Sequence, residues 1–216
     1  MGAFYEIQKL LSNKGFNPGP IDGDYGPKTE AAIIAALSEL PDKTSIQSNQ
    51  RPSWLNVAFS YLGLEEIKGS KHNEEILEFW RRIGVPFKDD ETPWCAGYVG
   101  GVLEEDGVES SRSAAARSYV NWGEKLDGPA VGCIVAFWRG SPQGWSGHVG
   151  FVVGKDQRGN LMVLGGNQGD AVNVKPFDTS RVLAYRWPKS RPMPKGVGFD
   201  NLPVVKSDGR VSKNEA

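Results

Sequence analysis

The chain has 216 residues, 39% of them hydrophobic, 10% aromatic and 24% charged, with a formal charge of −1. That composition supports one full domain plus a smaller one and excludes a chain disordered throughout. A charge near zero with no basic stripe excludes nucleic acid as a partner, and no apolar run is long enough for membrane insertion.

Residues 1–40 read as a small helical unit. Phe4, Ile7, Leu10 and Leu11 recur at helical spacing, NKGFNPGPIDGDYG is dense in turn formers, and Pro27 opens a second helix carrying Ala31, Ala32, Ile34, Ala35 and Leu37. Asp22 and Asp24 invite comparison with a calcium loop, but the EF-hand spacing and its closing glutamate are missing. The stretch 41–53, PDKTSIQSNQRPS, is polar, proline-bounded and without apolar periodicity, so it reads as a linker. The first fifteen residues lack an apolar h-region with a small-residue cleavage site, which predicts synthesis in the cytoplasm without Sec export.

The main domain is expected over 54–188. Leu55, Ala58, Phe59 and Leu62 mark one helix, and Ile76, Leu77, Phe79, Trp80 and Ile83 mark a second. Between them lies Glu66 in EEIKG, either lining a cleft or simply solvated. TPWCAGYVGG then predicts a buried helix beginning near Pro93, with Cys95 in its first turn. Unpaired N–H groups and the helix dipole favour a thiolate there and could stabilise an oxyanion. The competing reading is a structural cysteine, since free Cys is among the most buried residue types.

A nucleophilic thiol needs a base, and the chain has two histidines. His72 sits in the polar stretch KGSKHNEE and reads as a solvated loop residue. His148 opens GHVGFVVGK, a β-branched run bounded by glycine, so it reads as the end of a core strand. That strand and LMVLGGNQG are joined by KDQRGN, whose Gly159 marks a hairpin turn. With Gln157 and Arg158 central, His148 faces Asn167; with Arg158 and Gly159 central, Asn167 is its diagonal neighbour on the same face. A one-residue bulge would bring Gln168 there instead. Cys95, His148 and Asn167 would then form the variant of the nucleophilic triad in which an amide orients the imidazole.

SSRSAAARSYVNWGEKL reads as a further helix or half-helix. Five runs follow between 132 and 187: CIVAFW, HVGFVV, LMVLGG, AVNVKPF and VLAYRW, joined by short turns into a mostly antiparallel sheet of five or six strands. Helices first and strands afterwards is an α+β order. Cys133 reads as a strand residue of the core, and a disulfide to Cys95 is disfavoured by cytosolic synthesis. The scattered His and Cys residues lack zinc-ligand spacing, so neither metal nor cofactor is expected. Trp94, Trp138 and Trp145 are candidates for cleft walls, and 189–216, without a periodic run, reads as an extended or disordered tail.

These pieces resemble a known family. EIKG at 66–69, DETPWCAGYV at 90–99, SAAARSYVNWG at 113–123, GHVGFVVG at 147–154, VLGGNQGDAVNV at 163–174 and YRWP at 185–188 are similar to the papain-like cell-wall hydrolases of the CHAP and NlpC type. DGDYGPKTEAAI resembles the first half of the peptidoglycan-binding type-one module. The resemblance implies a papain-like fold with the nucleophile helix packed on the sheet, and an amidohydrolase with Cys95 as nucleophile, His148 as base and Asn167 as orienter. Glu66, Trp94 and Gln168 would line the site, and Asp22, Asp24 and Tyr25 would contribute to wall binding. It further implies bacterial peptidoglycan as the partner of a monomeric phage endolysin that needs no cofactor and acts at the wall after release from the cytoplasm. The family usually has an acidic residue where this chain has Cys133. Transamidation or deamidation by the same triad, or wall binding without catalysis, are the alternatives.

Overall fold

Five α-helices and six strands organise the part of the chain that the structure, a computed structural model, describes: residues 3–39, 51–69 and 71–212. The expected linker at 41–53 lies outside these residues up to position 50, and its last residue, Ser53, already begins a helix. Contacts divide the chain into two units, Met1–Gln50 and Arg51–Ala216.

In the first unit, α1 (Ala3–Asn13) and α2 (Pro27–Glu39) flank the predicted turn-rich loop. The buried positions of α1 are Gln8 and Leu11, whereas Phe4, Ile7 and Leu10 of the expected apolar face are exposed. The loop explains the difference. Gln8 donates from Nε2 to Asp22 Oδ1 (3.0 Å), the Asp24 carbonyl (2.9 Å) and Thr29 Oγ1 (3.2 Å), and its Oε1 accepts from the Gly23 N–H (2.8 Å). A buried amide is retained because every polar atom of it finds a partner. Asp22 and Asp24 therefore shape the loop, and Tyr25 stays exposed with its ring 5.2 Å from Phe4.

The second unit begins with α3 (Ser53–Ser60) and α4 (Glu74–Arg82), capped at its N-terminus by the Asn73 side chain accepting from the Glu75 N–H. The central helix α5 spans Cys95–Glu105 and starts two residues later than the expected Pro93, with Trp94 as its N-cap. The small residues of CAGYVGG have a packing role. A Cβ added at Gly97 would lie 2.9 Å from the Trp80 ring, at Gly100 2.6 Å from Ile83 Cγ2, and at Gly101 2.6 Å from Phe79 Cδ1 and 2.9 Å from its Cα. The glycines thus let α4 lie directly on α5. Replacing Gly101 with alanine should gain somewhat less than about 1 kcal/mol in helix propensity and lose about 1–3 kcal/mol to overpacking against backbone, a net destabilisation visible as a lowered Tm.

The predicted helix over SSRSAAARSYVNWGEKL resolves into a 3-10 turn, Ala116–Asn121, and a short strand, β1 (Glu124–Leu126). The remaining strands are β2 (Ile134–Trp138), β3 (Gly147–Lys155), β4 (Leu161–Gly165), β5 (Asn173–Phe177) and β6 (Val182–Trp187). They form one antiparallel sheet of order β1-β6-β2-β3-β4-β5. Both central strands β2 and β3 are buried almost throughout, as expected for strands covered on two faces. Tyr98 of α5 meets Phe151 of β3 edge-on at 6.1 Å, and Trp54 of α3 donates to the Gly132 carbonyl (2.9 Å), which joins helices to sheet.

Of the two readings of the tail, extended or disordered, its described part, 189–212, takes the extended one and packs down. Over 189–212 it forms a 3-10 turn, Phe199–Asn201, buries Leu202, and adds a parallel bridge between Lys155 and Val204. The side-chain-free Gly154 makes room for it, since a Cβ there would sit 2.6 Å from the Pro203 carbonyl. Three apolar side chains, Phe199, Leu202 and Val205, pack on the core and hold a segment that has no periodicity of its own.

Candidate active site

Cys95, the first residue of α5, is 7% exposed and unpaired with Cys133. The backbone N–H groups of Ala96 and Val149 lie close enough to favour its thiolate, but burial outweighs them and the thiol is pushed up to about 11. The expectation of a stabilised thiolate is therefore corrected: the helix N-terminus is present, and desolvation is the larger effect. Val149 directly follows His148, so the sulfur lies against the chain beside the histidine.

His148 sits on β3 opposite Phe137 of β2 and is completely buried. Its ring stacks on Phe177 at 5.2 Å with 3° between the planes, and on Phe137 at 6.5 Å. Burial is the main reason that it drops to about 3, against an ordinary value of 6.5, with the charges of Arg181 and Arg139 acting in the same direction. The imidazole is neutral at any ordinary pH.

Gln168, and not Asn167, holds that imidazole. Its Oε1 lies 3.0 Å from His148 Nε2. Its Nε2 donates to the Asn173 carbonyl (2.7 Å), Asn173 Oδ1 (3.0 Å) and the Val163 carbonyl (3.4 Å), while Asn173 Nδ2 returns a bond to the Gln168 carbonyl (2.8 Å). With the amide nitrogen so engaged, only the oxygen can face the ring. The oxygen accepts, so His148 carries its proton on Nε2, and Nδ1 keeps its lone pair. Nδ1 is buried and has no hydrogen-bond partner among the described residues, so no bond to the Cys95 sulfur is formed. Gly165 completes the clamp, because a Cβ there would be 2.6 Å from Gln168 Oε1 and 3.1 Å from His148 Nε2.

The displacement of Asn167 has a backbone cause. Phe151 pairs with Leu164 and Val152 with Val163, the register that extended would bring Asn167 opposite His148. The strand ends first, at Gly165, and Asn167, Gly169 and Asp170 all take positive φ, so the chain turns out of the ladder before reaching that pairing. The shift in β3 itself falls further along, between Val152 and Gly154.

Asn167 turns instead toward the nucleophile helix. With its amide nitrogen toward Glu66, it donates to Oε1 (3.1 Å) and accepts from the Trp94 backbone N–H (3.3 Å). The same Glu66 oxygen accepts from Trp94 Nε1 (2.6 Å). Strand-like pairing of Gly63–Glu66 with Asp170–Val172 brings Glu66 to this place. Burial, with Asp170, Asp90 and Glu91 nearby, raises its carboxyl above the ordinary range even though the Trp94 bond lowers it.

Trp94 is fully buried, stacked near Phe79 and packed against Gly166, so it supports the site from behind and lines no cleft. Trp138 is half-buried and donates to the Ser180 carbonyl; Trp145 is 90% exposed. His72, read as solvated, is half-buried and lies 2.8 Å from the buried Asp90, which also accepts from the N–H groups of Ile67 and Asn73. Cys133 is buried, with the Ala130 N–H on its sulfur. Among the described residues no group of three His, Cys, Asp or Glu side chains could hold a metal ion.

A cysteine-headed helix laid on an antiparallel sheet whose central strand presents a neutral, amide-held histidine is the papain-like α+β arrangement. Residues 87–167 match the family described as CHAP domain, and residues 2–36 match the family described as a putative peptidoglycan binding domain. CHAP domains are usually cysteine/histidine-dependent amidohydrolases or peptidases that cleave peptidoglycan, so the two matches support a peptidoglycan-hydrolysing or peptidoglycan-binding function. The match takes in Cys95, His148 and Asn167, and stops one residue short of Gln168. No curated protein matches the chain significantly.

Proposed function

We propose that the protein hydrolyses an amide of the peptidoglycan peptide, as an endopeptidase or an N-acetylmuramoyl-L-alanine amidase, through an acyl-enzyme on Cys95. The observation that carries this reading is the free Nδ1 of His148, its lone pair preserved by the Gln168 clamp while the ring sits beside the chain against which Cys95 lies.

Burial holds thiol and imidazole neutral together. The proton therefore passes from sulfur to Nδ1 as the sulfur attacks the carbonyl, not in a resting ion pair. The forming oxyanion meets the N–H groups at the start of α5. His148 then gives the proton to the leaving amine, and water, activated by the same nitrogen, releases the acyl group. The reading extends to the role of a phage endolysin, made in the cytoplasm and acting at the host wall. It is supported by the pairing of a wall-binding module with a CHAP domain in one chain.

The test is mass spectrometry of fragments released from purified peptidoglycan, with new amine termini labelled. Wild type should release fragments and name the bond, and Cys95→Ala should lower the rate by about a thousandfold or more. Release that survives Cys95→Ala overturns the mechanism, and no release by either protein from any wall type leaves a binding protein. Products in which an added amine is joined to the acyl group would identify a transamidase.

A further inference from the structure

Arg139 continues β2 beyond Trp138, its N–H bonded to the Ser146 carbonyl (3.2 Å). Phe137 pairs with His148, and Arg139 lies two residues further along the same strand. It therefore shares the sheet face of His148 and stands at its diagonal, about 7–8 Å between Cα atoms. Its Nε donates to Ser146 Oγ (3.0 Å), which fixes the plane of the guanidinium. The terminal nitrogens have no partner among the described residues, and no carboxylate there pairs with it. Its charge nevertheless reaches both reactive groups, favouring the Cys95 thiolate and opposing protonation of His148.

The loop that follows is held rigid. Arg117 donates from Nε to the Ser146 carbonyl (2.8 Å), from Nη1 to that of Pro142 (2.9 Å) and from Nη2 to that of Ser141 (2.8 Å). One arginine thus spends its guanidinium on fastening 141–146, leaving the other, fixed and half-buried, with unused donors beside the nucleophile. A guanidinium with two free parallel donors matches a carboxylate in geometry as well as charge.

We propose that Arg139 is the docking group for a carboxylate that the substrate carries next to the amide to be cut. The inference rests on the hydrolase reading above and narrows its substrate to peptides with a free, unamidated carboxylate flanking the reacting carbonyl. Arg139 then sets which face of the peptide meets Cys95.

Two measurements test this. The first is alkylation of Cys95 by iodoacetate and by iodoacetamide, read by peptide mass mapping so that Cys133 is counted separately. The iodoacetate-to-iodoacetamide rate ratio should exceed that of N-acetylcysteine in wild type, fall about tenfold in Arg139→Gln, and be partly kept in Arg139→Lys. An unchanged ratio in Arg139→Gln overturns the proposal without reference to hydrolysis. The second is cleavage of soluble muropeptides with free or amidated carboxylates. Wild type should prefer the free form at least about tenfold in kcat/KM, and Arg139→Gln should lose that preference. Cleavage of both forms at equal rates overturns the role of Arg139 alone, whereas cleavage of neither overturns the hydrolase reading and this inference with it.

Discussion

Replacing Gln168 with alanine is expected to lower kcat/KM on peptidoglycan by about a hundredfold to ten-thousandfold, the range seen when the group that fixes a catalytic tautomer is lost. Asn167→Ala should cost about tenfold at most. The difference follows from what each amide touches. Gln168 accepts from His148 Nε2 and so keeps the lone pair on Nδ1, while Asn167 bonds Glu66 and the Trp94 backbone. The catalytic loss in Gln168→Ala should fall on kcat with KM little changed, and Tm should drop as well, because His148 Nε2 and Asn173 Oδ1 lose the buried partner that Gln168 gives them. A larger loss in Asn167→Ala than in Gln168→Ala would show that the orienting residue is misassigned.

The second large effect concerns stability and acid. His148 binds a proton at about 3 in the folded protein and near 6.5 when unfolded, so below pH 6.5 the unfolded chain holds more protons than the native one. Stability contributed by the neutral, buried ring is thus fully present above pH 6.5 and is lost as pH falls toward 3. Integrated over that window the loss is about 4–5 kcal/mol, a large fraction of the stability of an ordinary domain. Urea unfolding of wild type and His148→Phe between pH 7 and 4 should therefore show a gap that shifts steadily in favour of the variant as pH falls. A constant gap would mean that the ring is solvated and titrates normally.

Much of this architecture is legible in the sequence for identifiable reasons. The α3, α4 and α5 helices announce themselves because their apolar residues recur at helical spacing, and β2 and β3 because both their faces are apolar. The hairpin register is not readable from the turn: Lys155 pairs with Leu161, not with Asn160 as a turn with Gln157 and Arg158 central predicts, and Phe151 still meets Leu164 only because the irregularity between Val152 and Gly154 cancels that offset. What cannot be counted is where β4 stops. GGNQGD consists of residues that all tolerate turns, so neither periodicity nor propensity says that three residues take left-handed backbone and swing Gln168 onto the histidine. The thiol shows the same limit. Its helix N-terminus is a local feature visible in the sequence, whereas the burial that overrides it comes from packing against residues far along the chain. Glu66 belongs to this second kind as well, because only the pairing of 63–66 with 170–172 brings it to Trp94 and Asn167.

The parallel stack of His148 on Phe177 carries a stereochemical consequence. An imidazole lying flat on one ring, flanked by a second and tied at Nε2, cannot swivel during a turnover without giving up the stack and the Gln168 bond together. In the proposed hydrolysis one nitrogen must then collect the proton from sulfur and deliver it to the departing amine. Nucleophile and leaving group consequently have to approach from a single side, and the scissile bond must lie across the mouth of Nδ1. Among bound poses only those in which the amine leaves over the histidine are productive, so handedness around the reacting carbonyl is selected by a ring that stays still.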